Sequence, residues 1–188
     1  MDTVELLTKV VGETRRVVDE VRPDQLGDPT PCADWTVRDL LNHLTAGSTM
    51  FAVSAEQGSV PDEVVAQLSG DTLGDDYKTA FATAAERAIT AFNLPGLMEK
   101  QLTMPFGAMP APVALNIAAF DLATHTVDLA RATGQQVQAD DLLEAALEIG
   151  RQIVTPEFRT PGVLGEEQPV ADDAPVADRL LAFAGRAV

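Results

Sequence analysis

The chain has 188 residues, of which 46% are hydrophobic, and a mean hydropathy of +0.04. This composition excludes a globally disordered chain and suits one globular domain. Acidic residues outnumber basic ones by 29 to 13, which gives a formal net charge of −16. Nucleic acids and anionic membranes both attract basic surfaces, so the charge argues against both classes of partner.

The single cysteine, Cys32, excludes an intramolecular disulfide and a zinc site built from several cysteines. The N-terminal segment carries acidic residues early and lacks the apolar core of a signal peptide. No apolar run approaches the ~20 residues that a membrane-spanning helix needs. We therefore expect a cytoplasmic protein without a membrane partner.

The first half of the chain predicts two long helices. Apolar residues recur with helical spacing from about Thr3 to Val21, and a loop rich in Pro, Gly and Asp follows. Thr36 and Asp39 have the spacing of a capping box, which marks the start of a second helix that extends to about Gly58.

Two further side chains near that start have predicted positions. Trp35 and Leu40 flank the cap in the arrangement of a hydrophobic staple. His43 falls on the inward, apolar face of the second helix.

The second half continues the helical pattern. A third long helix is predicted over about 75–92 and a short extended arm over 97–104. Another helix begins near Pro112 and stops at Gly134, and one more begins at Asp140. After a polar, proline-rich tail, a short helix is expected near the end. The whole of 1–188 is thus predicted to be one all-α domain, a four-helix bundle with short additional helices and one extended arm.

Two histidines and two aspartates form the candidate site. His43 and His125 each lie in the middle of a long helix, and Asp121 and Asp128 share the helix face of His125. An imidazole and a carboxylate at i and i+4 can bind one metal from a single helix, with His43 as a third ligand. Three protein ligands leave one position open on Zn²⁺, as in catalytic zinc sites.

The alternative is a core histidine that is hydrogen-bonded to Asp121 without a metal. Two features favour the metal. A buried carboxylate is costly unless it is paired or coordinated, and Asp121 interrupts an otherwise apolar stretch, IAAF-DLA.

Three segments resemble a known family: TPCADWTVRDLLNHL (30–44), FDLATHTVDLARATG (120–134) and APVADRLLAFAGR (174–186). They are similar to signatures of the actinobacterial proteins grouped with the N-terminal, metal-binding domain of mycothiol-dependent maleylpyruvate isomerase. That group belongs to the DinB-like four-helix bundles. The segments cover roughly a third of the chain, and their combination is more specific than any one alone.

The resemblance implies a divalent metal at His43, Asp121 and His125, with Zn²⁺ favoured and Ni²⁺ as the alternative. It also implies mycothiol as the small-molecule thiol and a thiol-dependent transfer or isomerisation. The isomerase usually has Glu at the position of Asp121 and carries a second, C-terminal domain, for which this chain is too short. Dimerisation is expected only by analogy with other bundles.

The sequence leaves two functions open: a metal- and thiol-dependent enzyme, and a non-catalytic protein that binds a metal or small ligand, such as a stress-response protein. Cys32 precedes a helix N-terminus, a position that lowers a thiol pKa, but no histidine is adjacent in sequence, so a structural role in the loop is favoured over a nucleophile. Because Thr36 and His43 are separated by roughly 10 Å of helix, Cys32 is not expected at the metal unless the loop folds back. Asp128 could accept a hydrogen bond from His125 or pair with Arg131.

Overall fold

The computed structural model describes residues 2–159 and 164–188, and within these ranges the protein is all-α apart from one small hairpin. The helices are α1 (Thr3–Glu20), α2 (Val37–Gln57), α3 (Asp62–Leu68), α4 (Tyr77–Phe92), α5 (Ala111–Ala132), α6 (Asp140–Ile153) and α7 (Val176–Phe183). The strands are β1 (Gln101–Met104) and β2 (Gly107–Pro110).

Local signals explain where the helices begin and end. The side chain of Asp2 caps α1 by accepting from the backbone of Glu5. The capping box predicted at α2 is present, since Thr36 and Asp39 each accept a hydrogen bond from the other's backbone N–H. Gly58 ends α2 with a φ of 81°, a left-handed conformation that glycine adopts without steric cost.

Four helices form the bundle. α2 packs on α4 and α5, and α1 packs on the other sides of α4 and α5. α6 and α7 cover the outer side of α5, so α5 is the most central helix. The core is contributed by the apolar faces that the spacing predicted, with Leu7, Leu40, Leu44, Phe81 and Leu115 all buried.

The predicted extended arm is a two-stranded hairpin. Its strands pair antiparallel with Gln101 opposite Pro110 and Met104 opposite Gly107. The sequence reading stopped the arm at the prolines, but Pro110 sits at the end of an edge strand, where its missing N–H costs no ladder bond.

The polar tail before α7 is partly described. Residues 160–163 of it lie outside the described ranges, as does residue 1. In the part of the chain that the structure describes, no helix is long and apolar enough to cross a membrane.

Candidate metal centre

α5 carries three of the site residues on one face. Asp121, His125 and Asp128 are spaced i, i+4 and i+7, so they lie one above another along the helix. His125 and Asp128 are buried, whereas the Asp121 side chain is 38% exposed. The face therefore runs from an accessible carboxylate to a buried one.

The predicted residues His43, Asp121 and His125 meet between α2 and α5. His43 Nε2 lies 3.4 Å from Asp121 Oδ2, and His125 Nε2 lies 3.5 Å from Asp121 Oδ1. One ligand atom from each of the three residues lies within 4.8 Å of the others. The two imidazole rings are 4.7 Å apart between centroids, nearly edge to face.

This donor set fits a divalent cation. Metal–ligand bonds of about 2.0–2.2 Å in a tetrahedron place neighbouring ligand atoms roughly 3.3–3.6 Å apart. A single carboxylate oxygen, Asp121 Oδ1, lies 3.5 Å from Nε2 of both histidines and so matches that spacing. Both separations exceed the ~2.7–3.2 Å of ordinary N–H···O bonds. Two nitrogens and one carboxylate also form a usual zinc ligand set.

The charges of the site stabilise an ionised carboxylate. Burial alone would raise the pKa of Asp121, but the neighbouring His43 and His125 hold that pKa well below its usual range. For His43, burial lowers the pKa, and the Asp121 carboxylate outweighs it and raises the pKa overall. The Asp121 carboxylate is thus ionised at neutral pH and can bind a metal cation or a protonated imidazole.

Trp35 lies against both histidines. Its ring centroid is 5.0 Å from that of His43 and 5.8 Å from that of His125, where the planes are only 22° apart. Trp35 also packs against the apolar core to which Leu40, its predicted staple partner, belongs. The ring covers one side of the histidine pair and limits how far either imidazole can rotate.

The loop before α2 folds back onto α5, the case in which the sequence allowed Cys32 to approach the site, and it reaches the Nδ1 side of His125. Thr30 accepts from the backbone of Cys32 and donates to the carbonyl of Trp35, and Asp34 adopts a φ of 65° in the turn between them. Cys32 Sγ consequently lies 3.6 Å from His125 Nδ1 and 3.1 Å from Asp128 Oδ2.

The surroundings of Cys32 hold its thiol in the neutral form. Burial, followed by the charge of Asp128, raises the pKa of the thiol to about 12, because both disfavour a thiolate. A neutral, half-buried thiol agrees with the interpretation of Cys32 as a structural residue of the loop rather than a nucleophile.

Asp128 contacts His125 rather than Arg131. Its Oδ2 lies 3.0 Å from His125 Nδ1, while Arg131 pairs with Asp178. A carboxylate on one ring nitrogen of a histidine orients the ring and leaves the other nitrogen for a metal. Here the other nitrogen is Nε2, which faces Asp121.

Sequence reasoning missed Arg186. Its Nη2 donates to Asp128 Oδ2 at 2.9 Å and to Cys32 Sγ at 3.3 Å, and its side chain is only 12% exposed. Cys32, His125 and Asp128 form a second cluster of potential ligands. The guanidinium already supplies the positive charge there, which disfavours a metal at that cluster. A sequence signal for Arg186 was available, because Arg186 is the last residue of 174–186, the third segment that resembles the family.

The surroundings of the site differ on its two open sides. An apolar cleft reaches Asp121 between α1, α2, α4 and α5, and its walls include Leu7, Leu44 and Phe51. A groove opens beside His43, lined by Asp34, Trp35, Asp39, Asn42, His43, Ala46 and Leu68. That lining contains two carboxylates and neither Lys nor Arg among the described residues.

Fold and site together define a helical bundle of the DinB-like class with a His–Asp–His cluster between two of its helices. The family model described as "Mycothiol maleylpyruvate isomerase N-terminal domain" matches residues 7–130, about two thirds of the chain. The chain belongs to this family. The matched range contains all four predicted site residues, and Arg186 lies beyond it.

The chain is also similar to individual proteins and solved structures. The uncharacterized proteins MT0763 and Rv0738, from two strains of Mycobacterium tuberculosis, are each 37% identical over 174 residues, which cover 89% of this chain and 88% of theirs. A crystal structure of the mycothiol-dependent maleylpyruvate isomerase shares the fold with a TM-score of 0.62 at 16% identity, covering 88% of this chain and 73% of that one. A histidine-to-alanine mutant of that isomerase matches with the same TM-score at 18% identity.

Proposed function

We propose that the protein binds one divalent cation, Zn²⁺ in preference to Ni²⁺, at His43, Asp121 and His125 and uses it in a thiol-dependent transfer or isomerisation. The observation that carries the proposal is that Asp121 Oδ1 lies 3.5 Å from Nε2 of both histidines. A bound cation would supply positive charge that favours the thiolate form of a coordinated thiol at neutral pH.

The chain's own residues would hold and shield the reacting partner. His43, Asp121 and His125 come from two packed helices, so their relative positions are fixed by the bundle core. Trp35 covers one side of the histidine pair. The groove beside His43, with a volume of about 410 Å³, leaves an approach for a small molecule, whereas the apolar cleft at Asp121, at about 20 Å³, has room for about one water.

Family membership supports a small thiol of the mycothiol class as the partner, because the relatives in the solved structures are named as mycothiol-dependent enzymes. The groove charge bears on the second substrate. Asp34 and Asp39 would repel an anion approaching beside His43, and the described lining offers no cationic side chain to a carboxylate. An uncharged electrophile therefore suits this groove better than a dicarboxylate such as maleylpyruvate.

The same groove favours a second candidate function, a non-catalytic protein that binds a metal or a small ligand. Its lining lacks a described cationic group that would stabilise negative charge developing on a substrate. The two candidates share the metal site and differ only in whether thiol-dependent turnover occurs.

Elemental analysis of tag-free protein, followed by a zinc titration, tests the metal. We expect about one equivalent per chain in the wild type and a loss of tight binding in the His43→Ala, His125→Ala double variant. Equal metal content in the two proteins would exclude the site. Because these are the only histidines of the chain, no other histidine can replace them.

A competition titration tests which carboxylate is the ligand. Asp121→Ala should abolish tight binding, because Asp121 faces both Nε2 atoms. Asp128→Asn should weaken binding only about 10- to 100-fold, since Asp128 contacts the opposite nitrogen of His125. The reverse ranking would show that the cation lies on the Cys32 side.

Turnover assays separate the two candidate functions once metal binding is established. Zinc-loaded protein is incubated with mycothiol and a panel of uncharged and anionic electrophiles, with Asp121→Ala as the metal-free control. Thiol-dependent consumption of an uncharged electrophile supports the enzyme. Binding of thiol without turnover of any electrophile favours the non-catalytic protein.

A further inference from the structure

Arg186 reaches the site from the opposite end of the chain. Its guanidinium contacts Cys32, which is 154 positions away in sequence, and Asp128, which is 58 away. Both partners are themselves in contact with His125 Nδ1. The residue lies outside the range that the family model matches.

The end of α7 has a backbone geometry that delivers this side chain. Gly185 adopts a φ of 88°, its N–H donates to Ala182, and the N–H of Arg186 donates to Leu181. These two bonds are those of a Schellman motif, which reverses the chain after a helix. A Cβ on Gly185 would lie 2.6 Å from Gly165 Cα, so glycine is required by both conformation and space.

The contacts of the guanidinium leave it little freedom. Nη2 donates to Asp128 Oδ2 at 2.9 Å, Nε approaches Oδ1 at 3.4 Å, and Nη1 donates to the Ala184 carbonyl at 2.7 Å. Asp128 is completely buried and Arg186 nearly so. A pair held at both ends in this way fixes the carboxylate plane, and with it the acceptor position for His125 Nδ1.

We propose that Arg186 is a positioning residue that holds Asp128 on Nδ1 of His125 and thereby turns Nε2 of that ring towards Asp121 and His43. This rests on the proposed function only as far as the cation is concerned. The orientation of His125 is a property of the metal-free protein as well. Gly185 and Arg186 accordingly contribute to the site, in addition to ending helix α7.

The sign of the effect on metal affinity separates positioning from charge. Arg186 is a cation near a cation site, so a purely electrostatic role predicts tighter metal binding when its charge is removed. Positioning predicts weaker binding, because His125 loses the partner that orients it. Arg186→Gln should therefore weaken Co²⁺ and Zn²⁺ binding by about 10- to 100-fold.

Two further variants make the comparison specific. Arg186→Lys keeps the charge but offers a single ammonium in place of the planar fork, so it should recover only part of the affinity. Arg179→Gln is the matched control, because it removes an arginine from α7 whose partner, Glu144, is exposed and remote from the site. It should bind metal as the wild type does. Thermal unfolding of each metal-free variant establishes that it is folded at the assay temperature.

Nitrogen NMR of the imidazoles gives a readout that needs no metal. With only two histidines, the long-range ¹H–¹⁵N spectrum is simple, and a His43→Gln variant assigns His125. At alkaline pH we expect His125 to carry its proton on Nδ1 in the wild type and in Arg179→Gln. Arg186→Gln should show a mixture of the two tautomers.

The outcomes are distinct. Weaker binding together with a changed His125 tautomer in Arg186→Gln supports the proposal. Unchanged or tighter binding overturns it, and so does an unchanged tautomer. If the wild type binds no metal, the proposed function is wrong, while the tautomer comparison still decides whether Arg186 orients His125.

Discussion

Breaking the buried ion pair of Asp128 and Arg186 should destabilise the metal-free protein strongly. Asp128→Asn retains the size of the side chain but removes the charge that compensates Arg186, whose side chain is only 12% exposed. Removal of one partner of a buried pair typically costs about 3–5 kcal/mol, because the other charge remains buried without compensation. That is a large part of the ~5–15 kcal/mol that stabilises a typical domain.

The assay is chemical and thermal unfolding followed by circular dichroism in the presence of a chelator. For a chain of this length, about 2–4 °C of melting temperature corresponds to 1 kcal/mol, so a loss of roughly 6–20 °C is expected. The Asp128→Asn, Arg186→Gln double variant should lose less than the sum of the single variants, because it leaves neither charge buried alone.

Glu56→Gln is the matched control. Glu56 accepts from Arg87 at 3.0 and 2.6 Å, so the pair is bidentate, but both side chains are a third or more exposed. An exposed pair of this kind contributes at most about 1 kcal/mol. If Asp128→Asn behaves like Glu56→Gln, or if the double-variant losses simply add, the reasoning about burial is refuted.

Three further predictions follow from other contacts. Cobalt-substituted wild type should show no sulfur-to-cobalt charge-transfer band until a thiol is added, and the band that then appears should be equally strong in cobalt-substituted Cys32→Ser. A band that is present without added thiol and is lost in Cys32→Ser would show that Cys32 is a ligand. Burial acts to raise the pKa of Glu13, but hydrogen bonds from Arg16 and the Gln138 backbone lower it overall. Wild type should therefore be more stable than Glu13→Gln by a constant amount above about pH 4.5, and this difference in unfolding free energy should vanish as the pH falls through the lowered pKa. A difference that persists or grows in acid would contradict this sign. Gly150→Ala should destabilise by about 1–3 kcal/mol despite the better helix propensity of alanine, because its Cβ would lie 2.5 Å from the Phe120 ring; an unchanged or raised unfolding midpoint in denaturant would show that the ring moves aside.

The fold could be predicted because its signals are local. Caps, helical spacing and turn residues act within a few positions, and the Thr36 capping box and the helix end at Gly58 follow directly from them. The shared face of Asp121, His125 and Asp128 is likewise a property of one helix. The meeting of His43 with Asp121 needed only the assumption that both apolar faces point into one bundle.

The far side of His125 could not be predicted in the same way. Cys32 is 93 positions from His125, and its approach depends on how an irregular loop closes through Thr30 and Asp34. The contact of Arg186 depends on a chain reversal after the last helix. Periodicity carries no information on either event, and a distance measured along helix α2 does not say whether the loop before it folds back.

The central position of α5 has a consequence for the rates of amide hydrogen exchange around the site. Amide groups in the middle of a helix enclosed by α1, α2, α6 and α7 exchange with solvent only when the whole domain unfolds, whereas loops and chain ends open locally. Nε2 of His125 faces Asp121 and Nδ1 faces Asp128, and both carboxylates belong to the slow-exchanging helix. Cys32 and Arg186, which contact Asp128, come instead from a loop and from the segment after α7, where local opening is faster. Deuterium uptake at 184–188 should thus precede uptake at 118–130 by orders of magnitude.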